Sequence, residues 1–328
     1  MSGVFACGRS ARTNAIHSLY VLPGHFYVYV QYERTPLCFQ PRRCRRCTDN
    51  PLAWTGDETR EEVAVLSGVD HLVILVRQLD EAIAAYRQLG FHVTPGGAHP
   101  EGTHNALVPF ADGAYLELIA FSGSEPPVRH RWARFARPGG LIDIALRTDD
   151  VEADIARLRR AGLAYRGPMP GARRLPDGTE IAWRMGWAPD DRTGELPFLI
   201  DDVTARELRV PAGQAATHPN GVTGLQAVTV AVRDLDESAR EFAILLGREP
   251  SAAVTDEALS ATTRTFVVGP HRIVLACPTL PGSPLVSRIQ QQGDGPFAAT
   301  LLAGGAEEAH AIPAESAEGA RLVIVHDG

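Results

Sequence analysis

Two polar residues in apolar surroundings are the first candidates for chemistry. His71 stands in Val69-Asp70-His71-Leu72-Val73-Ile74, and Glu117 in Tyr115-Leu116-Glu117-Leu118-Ile119. A carboxylate buried without a partner is costly. Glu117 therefore needs a metal ion, an arginine or a proton. His71 admits a plainer reading, a strand histidine hydrogen-bonded to its neighbour Asp70. Thr103, His104 and Asn105 open a later strand and could touch a substrate; as loop-to-strand residues they need no role. Trp183, Arg184 and Trp187 offer an aromatic and cationic lining suited to an anionic or aromatic ligand, although packing explains a strand tryptophan about as well. Arg129, His130, Arg131, Arg134 and Arg137 read as the solvated face of a helix that turns Trp132 and Phe135 inward.

Composition removes other chemistries. The 32 basic residues among the 328 are all arginine. Without lysine there is no Schiff base, no pyridoxal-phosphate linkage, no Walker-A loop and no kinase strand lysine. Gly-x-Ser-x-Gly, His-Glu-x-x-His and a post-strand Gly-x-Gly-x-x-Gly are missing too. A net charge of −7 gives no positive field for nucleic acid or an anionic membrane. No apolar run approaches the roughly 18 residues of a membrane helix. Cys7, Cys38, Cys44 and Cys47 crowd the first 50 residues, with only Cys277 beyond. That is not a disulfide framework, and a cytoplasmic protein is expected.

The elements that must position these residues come in repeats. Asp70 to Val76 reads as a buried strand. Leu79, Ile83, Tyr86 and Leu89 follow at helical spacing, and Gly90 ends the helix. Shifting this segment by 156 residues brings Val76, Arg77, Leu79, Asp80 and Glu81 onto identical residues Val232, Arg233, Leu235, Asp236 and Glu237. A weaker copy, Gly140 to Leu163, lies 72 residues on. Recurrence of this kind marks a repeat architecture. Strand candidates Asn105–Phe110 and Ala114–Phe121 follow the first helix, with an Asp112-Gly113 hairpin turn between them. The middle copy continues through Ile181–Trp187 and Pro197–Asp201, and the third through Thr265–Gly269 and Arg272–Cys277. A fourth start, Pro296–Ala303, has no helix after it, and Arg321–His326 is a last strand. Val210–Asn220 reads as a linker between pairs. Residues 1–66 follow none of this grammar. They are expected to be a disordered or spurious leader, with Val63 or Val65 as alternative starts. The competing reading is a zinc knuckle on Cys38, Cys44 and Cys47.

This βαβββ grammar resembles the vicinal oxygen chelate superfamily, and within it the glyoxalase-like branch. The resemblance covers 67–210 well and 219–328 loosely. It implies an α+β fold of tandem βαβββ units whose curled mixed sheets enclose a cavity: one glyoxalase-like domain over 67–210 and a second, degenerate one over 219–328. It places metal ligands on the first and last strands of each unit. His71 and Glu117 fall there, and Asp143 occupies the position of His71 in the second unit; Asp201 or Asp202 is the loose last-strand partner. The implied cofactor is one divalent ion (Zn, Ni, Mn, Co or Fe), with Glu117 moving a proton and Thr103, His104, Asn105, Trp183 and Arg184 meeting the substrate. In the third unit the match to His71 is Ala227, so the C-terminal pair is left a structural or dimerisation role. The resemblance implies a metal-dependent lyase or isomerase on a small oxygenated substrate. The alternative is a metal-free protein that sequesters a drug-like or aromatic ligand, as bleomycin-resistance proteins do.

Overall fold

The computed structural model describes residues 66–326 apart from 124, 128, 176, 306 and 307. The leader and the cysteine knuckle expected within it lie outside the described residues.

The first unit runs β1 (Gly68–Leu75), α1 (Leu79–Gln88), β2 (Thr94–His99), β3 (Thr103–Pro109) and β4 (Tyr115–Phe121). The second repeats it as β5 (Gly140–Arg147), α2 (Val151–Arg160), β6 (Arg166–Arg174), β7 (Glu180–Trp187) and β8 (Phe198–Asp202). A single turn, α3 (Arg206–Arg209), leads to the third unit: β9 (Val222–Ala231), α4 (Leu235–Leu246), β10 (Val254–Asp256), β11 (Ala261–Val268) and β12 (His271–Pro278). Then come α5 (Pro284–Gln292), β13 (Gly295–Ala303), β14 (His310–Ile312) and β15 (Leu322–His326). The fourth unit has no described helix between β13 and β14.

The first two units close into one eight-stranded barrel, ordered β1-β4-β3-β2-β6-β7-β8-β5. β1 is its hinge, parallel to β4 and antiparallel to β5. Every residue of β1 is buried, one face in the core shared with the open sheet and the other in the apolar cluster inside the barrel. Leu72 and Ile74 join the outer core, while Val73 and Leu75 join the inner one. Helix α1 buries Leu79, Ala82 and Tyr86, with Asp80 and Glu81 in its first turn and Arg87 in its last, the polarity its dipole favours. Asp150 caps α2 through the Ala153 amide, and Asp234 caps α4 through that of Glu237.

The last two units form an open seven-stranded sheet, β10-β11-β12-β9-β13-β15-β14. One apolar cluster contains Leu72, Tyr86 and Leu116 from the barrel together with Val228, Phe242 and Leu301 from the sheet. Arg157 bonds the Ile244 and Leu245 carbonyls at 2.8 and 2.9 Å, satisfying the open end of α4.

Strands β2 and β6 and helix α5 were not expected from the sequence. β2 (TPGGAH) and β6 (RGPMPGARR) lack the alternation that reveals a strand, yet they close the barrel by pairing Ala98 with Arg174. A Cβ on Gly97 would stand 2.2 Å from the Arg174 carbonyl oxygen, so glycine is what lets this seam close. The expected solvated helix around Arg129–Arg137 is a turn and one short 3-10 helix, Ala133–Phe135. The linker reading also needs adjustment: Val210 is buried, and His218 Nε2 contacts the Pro109 carbonyl at 2.8 Å. No described helix is long and apolar enough to cross a membrane.

Candidate functional site

The barrel encloses a cavity of about 450 Å³. His71 and Glu117 both line it, with His71 Nε2 3.5 Å from Glu117 Oε2. Both face inward because strand side chains alternate: Tyr115, Glu117 and Ile119 share the inner face of β4 and line the lumen. A bulge in β1 skips Asp70 between Val69 and His71, re-aiming the local side chains. Asp70 Oδ1 thus reaches His71 Nδ1 at 2.7 Å. Burial works against the Asp70 charge, but the Arg209 guanidinium and the bond from His71 outweigh it and hold the carboxyl well below its usual range. An ionised carboxylate can only accept, so Nδ1 carries the proton and Nε2 is the atom presented to Glu117. Tyr115 stacks on the imidazole at 4.5 Å.

Further hydrogen bonds make this a ring. Asn105 Nδ2 donates to Glu117 Oε1 at 2.6 Å. Arg173 Nη1 donates to Asn105 Oδ1 at 3.3 Å, and its Nη2 to the Arg209 carbonyl at 2.9 Å. Arg209 returns to Asp70 at 2.9 and 3.0 Å. It also donates to the Tyr115 hydroxyl at 2.8 Å and holds Asp202. Buried polar side chains satisfied in this way stay in one arrangement.

Other expected residues divide by strand face. Thr103 and Trp183 line the cavity, Thr103 meeting His99 Nδ1 at 2.8 Å. Burial lowers the His99 pKa although Glu117 opposes this. His104 and Arg184 do not line it. His104 lies 3.4 Å from Ser122 Oγ, and Arg184 pairs with Asp201 and Glu152; each sits one residue out of phase with an inward neighbour. Asp143 is buried but engaged: Trp132 Nε1 and the Ile144 amide donate to it, each at 2.9 Å. Burial pushes its pKa up to about 6 against those bonds. At the rim, Arg129, His130 and Arg131 line the cavity, and Arg131 lies 3.5 Å over the Trp187 ring.

The sequence profile described as the glyoxalase-like domain matches residues 69–246, more than half of the chain. The protein belongs to the glyoxalase-like domain family. Its fold is shared with a hypothetical protein from Staphylococcus aureus, at a TM-score of 0.61 and 15% identity over 79% of this chain and 98% of that one. A variant of 4-hydroxymandelate synthase from Streptomyces coelicolor matches at 0.49 and 16%, over 74% and 72%. Methylmalonyl-CoA epimerase from Mycobacterium tuberculosis matches at 0.30 and 18%, over 33% and 90%. No curated protein sequence matches the chain.

The residues of this glyoxalase-like barrel do not fit a resident divalent ion. A zinc site takes three or four protein donors, and among the described residues His71 Nε2 and Glu117 Oε2 bring two. The second unit should supply the rest. Val73 pairs with Glu117, and its counterpart Ala145 pairs with Phe198; the position of Glu117 is therefore apolar there. Asp201 and Asp202 are not that partner: they hold Arg184 and Arg209. Asp143, the third expected ligand, is taken up by Trp132 and Ile144. Among the described residues no three His, Cys, Asp or Glu side chains gather around one point. Sequence reasoning missed Arg173, Arg209 and His99. Only the Gly-rich company of His99 and Arg173, near a barrel seam, hinted at two of them.

Proposed function

We propose that the barrel is the chamber for a small oxygenated organic molecule, and that His71 and Glu117 move a proton on it without a resident metal. The observation that supports this is the 3.5 Å approach of Nε2 to Oε2 inside the barrel cavity, with Asp70 fixing the imidazole. Glu117 is the base for a proton on the carbon beside a carbonyl, the step shared by isomerases and lyases of such substrates. His71 Nε2, which Asp70 leaves without a proton, accepts that proton from Glu117 and hands it on to the oxygen on which charge develops. Asn105 orients the Glu117 carboxylate. A second reading, capture without turnover, is favoured by the aromatic wall of Trp132, Trp183, Trp187 and Phe198.

The test uses the tryptophans as reporters. Small 2-oxo acids should quench their fluorescence in wild type and in Glu117→Gln alike, while only wild type exchanges the carbon-bound proton with solvent. Quenching without exchange in wild type would leave capture as the function. No quenching by any small oxygenated compound would sink the chamber itself.

A further inference from the structure

Two buried guanidinium groups line the cavity, and they are balanced differently. Arg209 is 2% exposed and answers to two carboxylates, Asp70 and Asp202. Arg173 is 4% exposed, and no described carboxylate pairs with it. Its terminal nitrogens meet neutral acceptors, the Asn105 amide oxygen and the Arg209 carbonyl. Its Nε is buried with no partner at all. Asn105 stands between it and Glu117, with one end on each. Neutral acceptors orient a guanidinium but do not cancel its charge, and an uncompensated buried charge is expensive. Burial pulls the group below the usual arginine range, yet arginine stays charged at neutral pH. Glu117 acts on this guanidinium only from the far side of Asn105, so no carboxylate among the described residues touches it.

We propose that Arg173 is the anion anchor of the chamber and that the ligand is a small organic acid, its carboxylate on Arg173 and its neighbouring oxygenated carbon toward His71 and Glu117. This rests on the reading of the barrel as a ligand chamber. A carboxylate matches what is there: one unbalanced planar fork accepts one planar monoanion, whereas a phosphate would bring close to two charges. The cavity size falls within the roughly 300–1,000 Å³ of small-molecule sites. Trp183, Trp187 and Phe198 supply an apolar wall for the body of the acid.

The probes are phenylglyoxylate and its neutral amide, titrated against full-length protein by tryptophan fluorescence. Wild type should prefer the carboxylate by about tenfold or more. Arg173→Met should lose that preference while binding the amide within about twofold of wild type, which also reports that the variant is folded. Arg173→Lys, which restores the charge without the fork, should recover part of the preference. Equal binding of acid and amide by wild type overturns the anchor and leaves the chamber standing, as does a preference that survives Arg173→Met. Failure to bind either compound counts against the chamber and the anchor together.

Discussion

The barrel and the open sheet share the strand pairing around β1 and β9, and at three matched positions they differ in chemistry. Where the barrel has His71, Glu117 and Asp143, the sheet has Ala227, Val274 and Ala298. The registers make this a match of place: Val73 joins Glu117 and Asp143, as Thr229 joins Val274 and Ala298. Outward residues follow the opposite rule, for Leu72 and Val228 are both fully buried in the shared core. The concave sides differ as well. In the sheet, α5 fills the hollow, packing Leu285 and Ile289 with Leu259, Ala261, Ala276 and Phe297. In the barrel that hollow is the cavity. The outward face thus packs a shared core in both regions, while the inward face is where they differ: polar His71, Glu117 and Asp143 in the barrel, apolar Ala227, Val274 and Ala298 in the sheet.

Breaking the barrel's side of this contrast should have the largest effect. Glu117→Gln should lower proton exchange about 10²–10⁴-fold with little change in melting temperature, read by NMR in deuterated buffer and by calorimetry. Val274→Gln, its counterpart in the sheet, should leave exchange unchanged. Arg209→Met should cost about 3 kcal/mol in denaturant unfolding, because Asp70 and Asp202 keep Arg206 but lose the more deeply buried of their two arginines. Loss of under about 1 kcal/mol would show that Arg209 is not the support of Asp70. In the sheet the equivalent weak point is apolar. Leu285→Ala should cost about 2–5 kcal/mol and leave ligand binding untouched, since α5 fills the hollow that the barrel keeps open.

The smallest effect concerns Asp143. Its pKa is raised to about 6 in the fold, so the folded state binds its proton more tightly than the unfolded chain does. The stability tied to that proton is complete below about pH 4 and is lost as pH rises through about 6. Asp143→Asn should therefore flatten the stability profile between about pH 4 and 7 and gain about 1–3 kcal/mol on wild type at neutral pH. An unchanged profile would mean that Asp143 is not the titrating group.

What the sequence made legible follows from the same division. His71 and Glu117 were visible because a polar residue inside an apolar strand breaks the pattern around it. The repeats were visible because the outward faces and helix starts were kept. Arg173 and Arg209 were hidden among 32 arginines, most of which look alike without a fold to bury two of them. β2 and β6 were hidden because a seam of glycine and proline reads as loop. Asp143 matched His71 in place, but nothing in its neighbourhood revealed that Trp132, eleven residues earlier in the chain, would occupy it. His104 and Arg184 were separated from the lumen by one residue of strand phase, which boundary errors of a residue or two easily reverse.

Deuterium incorporation into a small 2-oxo acid by chelator-treated protein tests the central claim most directly. Exchange that persists after chelation and disappears in Glu117→Gln is the result expected of a proton-transfer pair working without a metal. Exchange that returns only when a divalent ion is added back, or that survives the loss of the Glu117 carboxylate, would contradict it.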